Sequence, residues 1–219
     1  PDLSLEEMLS IESDAEGLGF SALVERSGGV ATYPSVVSQS SDLKHMLSTV
    51  AHEWLHQYFF FRPLGWNYWA SYEMTTVNET AASIAGDEVG ALVYQRYYQK
   101  EAEEAAAPPS ETEPAFDFNK EMREIRLAVD AYLASGEIEE AEVFMEEKRQ
   151  FIADNGYYIR KLNQAYFAFH GSYADSPTSV SPIGGELKTL RESSLSLGAF
   201  IKTVAQISSY DELQAILAP

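Results

Sequence analysis

The chain contains no cysteine. Disulfides and thiolate metal sites are therefore excluded, while the redox compartment stays open. Basic residues are scarce: 15 Lys and Arg face 34 Asp and Glu, for a formal net charge of −19. A surface of that sign repels phosphate backbones and anionic lipid headgroups, which argues against a nucleic-acid partner. No apolar run approaches the roughly 18 residues that a membrane-spanning helix needs. There is no signal-peptide pattern either, and the first residue is Pro1 rather than Met. The expectation is a processed or excised chain whose signal or membrane anchor lay upstream, with its location otherwise open.

What is present suits a globular fold. The 219 residues are 45% hydrophobic, enough for a sizeable core. The patterning predicts a mainly α (α+β) protein, read as one domain over residues 1–219. A short helix is expected over 3–11. Two β-rich runs in 19–37 flank Ser27-Gly28-Gly29 and read as a hairpin, with Pro34 marking the second run as an edge strand. A serine cluster near Ser40 suits an N-cap, and Leu43, Met46, Leu47, Val50 and Leu55 recur at helical spacing, predicting a helix over about 42–61 that ends before Pro63. A second long helix is expected from about Val77 to 107, with Asn78 as its cap. An acidic, proline-rich linker follows at about 103–117. Further helices are expected near 119–134, 137–154, 157–170, 183–192, 196–207 and 209–217. Gly136 and Gly156 stand where C-terminal caps belong.

The first long helix carries "HEWLH". Residues four apart share a helix face, about 5–6 Å apart at Cβ, so His52 and His56 can aim both imidazoles at one ion. Glu53 projects beside them, close enough to take a proton from a metal-bound water. A catalytic zinc site takes three protein ligands and leaves one position open. His45 cannot be the third, because seven residues place it about 10.5 Å away along the axis. Glu79 is better placed. It shares a face of the next helix with Ala82, Ser83 and Gly86, small residues that let the two helices approach closely. The competing reading of this face is plain helix packing, with Glu79 exposed in a first turn where acids are favoured.

"HEWLHQ" followed by "NETAA" resembles the gluzincin pattern of zinc metallopeptidases, and "LNQAYFAFHGSY" extends the likeness more loosely. It is similar to a group of bacterial zinc aminopeptidases in which an Asn-rich helix leads to a tyrosine. The likeness is specific over residues 49–90, looser over 157–205 and absent from the first twenty. It implies a zincin-like fold, one Zn²⁺ held by His52, His56 and Glu79, and hydrolysis of a peptide or protein substrate with Glu53 as general base. Two imidazoles and one carboxylate leave zinc a net charge of +1, still an effective Lewis acid. The pattern departs at Ser83, where many gluzincins carry an Asp that braces a histidine; the brace is expected from elsewhere. Met-turn peptidases are excluded, because their third histidine would fall on Arg62.

A tetrahedral oxyanion also needs a protein donor, and Tyr173 and His170 are the candidates. Tyr173 fits the family's tyrosine position. His170 is the sole histidine beyond the motif helix. The strand edge at 29–37 is a candidate for binding an extended peptide. "YFFFRPLGWNYWASY" reads as core before it reads as a specificity wall or a membrane-contacting patch. Nothing in the sequence separates aminopeptidase from endopeptidase. The alternative to an enzyme is a non-catalytic, zinc-stabilised peptide-binding domain, and a metal-free helical scaffold is the third reading.

Overall fold

The computed structural model describes residues 3–40, 42–98 and 116–218. These form a mainly helical protein with one small antiparallel hairpin. In chain order the elements are α1 (Leu5–Glu16), β1 (Gly29–Val30), β2 (Val36–Val37), α2 (Leu43–Phe60), α3 (Pro63–Trp66), α4 (Tyr72–Tyr97), α5 (Phe118–Ala134), α6 (Ile138–Asp154), α7 (Gln164–His170), α8 (Pro182–Ser193), α9 (Leu197–Val204) and α10 (Tyr210–Leu217). No helix among the described residues is long and apolar enough to cross a membrane. The expected acidic linker, and the end of the second long helix, fall almost wholly outside the described residues.

The chain divides into two compact units that interleave in sequence. The first comprises Pro1–Arg26, Glu113–Gly171 and Pro177–Val180; the second comprises Ser27–Thr112, Ser172–Ser176 and Ser181–Pro219. In the first unit, Met122, Ile125 and Val129 of α5 pack with Ala141, Met145 and Ile152 of α6. Gly136 and Gly156 follow these two helices at φ 77° and 88°, the left-handed conformation that ends a helix at glycine with no Cβ penalty. Glu12 of α1 is buried, and Arg160 holds it through two nitrogens, at 3.0 and 2.6 Å. Bonds to Arg160, working against burial, hold this carboxyl at about 2.

The second unit is built on α2 against α4. Leu55 and Phe59 of α2 meet Val77, Ala81 and Ala85 of α4, and Leu187, Phe200, Val204 and Leu213 of α8 to α10 close the core. The small-residue face allows the approach. A Cβ on Gly86 would lie 3.0 Å from Ser48 O and 3.1 Å from His52 N; one on Gly90 would lie 2.6 Å from Ser48 N. Gly90→Ala is expected to force α2 and α4 apart, costing about 1–3 kcal/mol by overpacking. Thermal unfolding checks this, with Gly185→Ala, where a Cβ meets nothing within 4 Å, as the neutral control.

Several elements differ from expectation. Helix α1 runs five residues beyond Ile11, and α7 begins only at Gln164. The hairpin turn lies between the two strands, so Ser27-Gly28-Gly29 is not the turn and Pro34 lies in the connection. Gly29 pairs with Val37 and Val30 with Val36. Gly29 is needed in β1 because a Cβ there would sit 2.5 Å from Glu53 Oε1. The cap of α2 is Asp42, which accepts from His45 N at 3.0 Å. Helix α4 starts at Tyr72 under a Ser71 cap, which places Asn78 inside the helix rather than at its end. The connection before it holds an unforeseen short helix, α3, begun by Pro63 at N1.

Candidate metal centre

His52, Glu53 and His56 project from the middle of α2, and Glu79 from the second turn of α4. The four-residue spacing stacks the imidazoles with ring centroids 4.6 Å apart. Their Nε2 atoms are 2.9 Å apart, and each lies 3.3 Å from Glu79 Oε2. This cluster of His52, His56 and Glu79 could hold a metal ion. A tetrahedral ion at about 2.05 Å from each ligand separates them by about 3.3 Å, so the triangle has the right size. His45 lies exposed near the start of α2 and takes no part.

The ring nitrogens are oriented from behind. Asn78 Nδ2 donates to Leu64 O at 3.3 Å, which turns Asn78 Oδ1 toward His56 Nδ1, 2.9 Å away. An amide oxygen only accepts, so His56 carries its proton at Nδ1 and presents a bare Nε2 to the centre. Ser83 Oγ lies 3.4 Å from His52 Nδ1. The brace expected from elsewhere is therefore at this position itself, where a short hydroxyl reaches the ring. Bare imidazole nitrogens this close to a carboxylate oxygen need a cation among them. Burial, the largest single influence, pushes the His56 pKa down, but the hydrogen bond and charge of Glu79 raise it overall.

Glu79 is buried and doubly anchored. Its Oε1 accepts from the Tyr68 hydroxyl, leaving Oε2 for the centre. Burial raises its pKa, yet hydrogen bonds from His52, His56 and Tyr68 outweigh that and keep it ionised well below the carboxylate range. Burial, then the Glu79 hydrogen bond, raises Tyr68, so its hydroxyl stays a donor. Glu53 is 8% exposed and lies under β1. Its pKa is raised by burial, against the pull of both imidazoles.

Tyr173 comes to this centre from the segment Ser172–Ser176. Thr80, fully buried on α4, accepts from Ala174 N at 2.9 Å and donates to Ser172 O at 3.3 Å. The Tyr173 ring centroid lies 6.2 Å from that of His52. Burial and the Glu79 carboxylate raise its pKa, so the phenol remains protonated. His170 belongs to the first unit, where its ring lies 4.2 Å from Tyr166 and burial lowers its pKa. The expectation that His170 donates to an oxyanion is carried by the sequence alone.

A cleft of about 1260 Å³ opens on the centre, lined by His52, Glu53, His56, Glu79 and Tyr173, by β1 and by the aromatic segment. That segment is not core: Phe60, Phe61, Trp66 and Trp69 are 66–87% exposed, and only Phe59 and Leu64 are sealed. Two functional positions escaped the sequence reading, Tyr68 and the ring-orienting Asn78. The "NE" pair was the available signal for Asn78, since adjacent residues inside a helix point to different groups of one site. Asn78→Ala is expected to lower metal affinity about 10–100-fold while leaving the three ligands in place. Titration with a competing chelator measures it. Comparison with protein-family models, with curated proteins and with solved structures returns no match.

Proposed function

We propose that the chain is a zinc-dependent peptidase with a gluzincin-type site. The observation that carries this is a buried carboxylate, Glu53, beside a three-ligand cluster in one open cleft. Two imidazoles and a carboxylate suit zinc better than calcium or magnesium, which favour oxygen-rich shells. The ion, when bound by His52, His56 and Glu79, supplies Lewis acidity toward a substrate carbonyl and lowers the pKa of water toward 7.

The chain's own groups do the rest. Glu53 accepts the proton of the attacking water and delivers it to the leaving amine; its raised pKa suits both tasks. Tyr173 keeps its proton and donates to the developing oxyanion. Tyr68 holds Glu79 through Oε1, so that Oε2, beside the two imidazoles, would be the oxygen to hold the ion. The edge of β1 lines the same cleft, where an extended peptide can add as a strand. A purely structural zinc site would be closed by a fourth protein ligand and needs no carboxylate kept at this position.

The test is hydrolysis of a quenched-fluorescence peptide library. Turnover is expected with zinc, lost on chelation, and restored by zinc but not by magnesium. A zinc-loaded protein that cleaves nothing would leave the binding-domain reading in its place.

A further inference from the structure

We infer that the cleft binds internal stretches of extended polypeptide bearing bulky apolar side chains, so that the chain is an endopeptidase; the inference rests on the peptidase reading above. Charge carries the first half. Among the described lining residues there is no Lys or Arg, and the only carboxylates are Glu53 and Glu79. A carboxypeptidase needs a cation to hold the substrate's terminal carboxylate. An aminopeptidase needs a carboxylate to hold the terminal ammonium, and both acids here are committed, Glu79 to the imidazoles and Tyr68, Glu53 to proton transfer. A chain end brought into this cleft would desolvate its charge without a partner.

The exposed rings carry the second half. Trp54, Phe60, Phe61, Trp66 and Trp69 are 57%, 66%, 67%, 71% and 87% exposed, although such side chains normally go inside. They are continuous with the centre: Trp69 packs against Tyr68 at 4.6 Å, and Tyr68 holds Glu79. The cleft, at about 1260 Å³, exceeds what one small molecule or one side chain fills. Aromatic faces also attract cations, but the Tyr58 ring already carries Arg62 at 5.0 Å, and among the described lining residues no carboxylate other than Glu53 and Glu79 stands to complete a site for Lys or Arg.

Synthetic peptides of one sequence are made with free, acetylated, amidated and doubly blocked ends, and with Phe, Leu, Lys or Glu beside the central bond. Zinc-loaded protein is assayed with products identified by mass. Doubly blocked Phe and Leu peptides are expected to be cut internally, as well as free-ended ones. They should be preferred over Lys and Glu versions by about tenfold or more, the scale of one desolvated aromatic contact. The double variant W66A/W69A should lose that preference with unchanged zinc content, and Phe61→Ala should reduce it if the double variant fails to fold. Cleavage that requires a free amine or carboxylate, or a preference for charged side chains, overturns the inference and leaves the peptidase reading standing. Failure to cleave any of the peptides overturns both.

Discussion

Glu53→Gln is expected to keep one zinc ion per chain and to lose peptide hydrolysis by about 10²–10⁴-fold, the usual contribution of a positioned general base. The substitution is close to isosteric. The Gln side chain fills the same space beneath Gly29, whose missing Cβ leaves room for a side chain of that length. None of the ligand atoms of His52, His56 and Glu79 belongs to residue 53, so the metal cluster is untouched. An amide cannot accept the proton of the attacking water or return it to the amine. Metal content by plasma mass spectrometry and kcat/KM on the same preparation separate the two effects. Equal turnover by both proteins removes Glu53 from the mechanism.

His56→Ala has the other large effect. A catalytic zinc site needs three protein ligands, and two do not hold the ion at stoichiometric levels. The expected result is a protein without zinc after gel filtration and without turnover. Stability reports the same loss independently. At 100 times its dissociation constant a ligand stabilises the native state by about 2.7 kcal/mol. The wild-type transition should therefore rise by several degrees with zinc, and the variant's should not. The variant must be compared with itself, with and without metal. Removing the ring also leaves Asn78 Oδ1 buried without its donor, which costs stability on its own account.

The parts of the fold that depend on local periodicity were legible. The helix carrying His52 and His56 announces itself through apolar spacing and a terminal proline, and the i,i+4 pair then follows from helix geometry. Glu79 was legible one step further out, because Ala82, Ser83 and Gly86 on its face require a close neighbour. Gly86 meets His52 itself. Asn78 was misjudged as a cap because capping propensity is a local signal; its side chain is spoken for by His56 and Leu64, one on α2 and the other on α3. Tyr68 had no local signal at all. It lies in a non-periodic connection, and its bond to Glu79 exists only once α3 and α4 are folded.

Hydrophobic composition misled in the same way. Phe60 and Phe61 read as part of a core cluster, yet Phe60, the last residue of α2, and Phe61, just past its end, are turned outward while Phe59 is sealed. Within α2, adjacent residues differ by about 100° around the axis, so Phe59 and Phe60 must face different surroundings. The interleaving of the two units was illegible for another reason: Tyr173 reaches its place through Thr80, a partner 92 residues from Ser172, and sequence spacing carries no such contact.

X-ray absorption at the zinc edge tests the central claim most directly. On protein carrying one zinc per chain, a four-coordinate shell is expected, with two imidazole nitrogens at about 2.0–2.1 Å and oxygens at about 2.0–2.2 Å, and with the imidazole scattering halved or lost in His52→Ala. A six-coordinate oxygen shell without imidazole, or a purified protein that takes up no zinc, would contradict it.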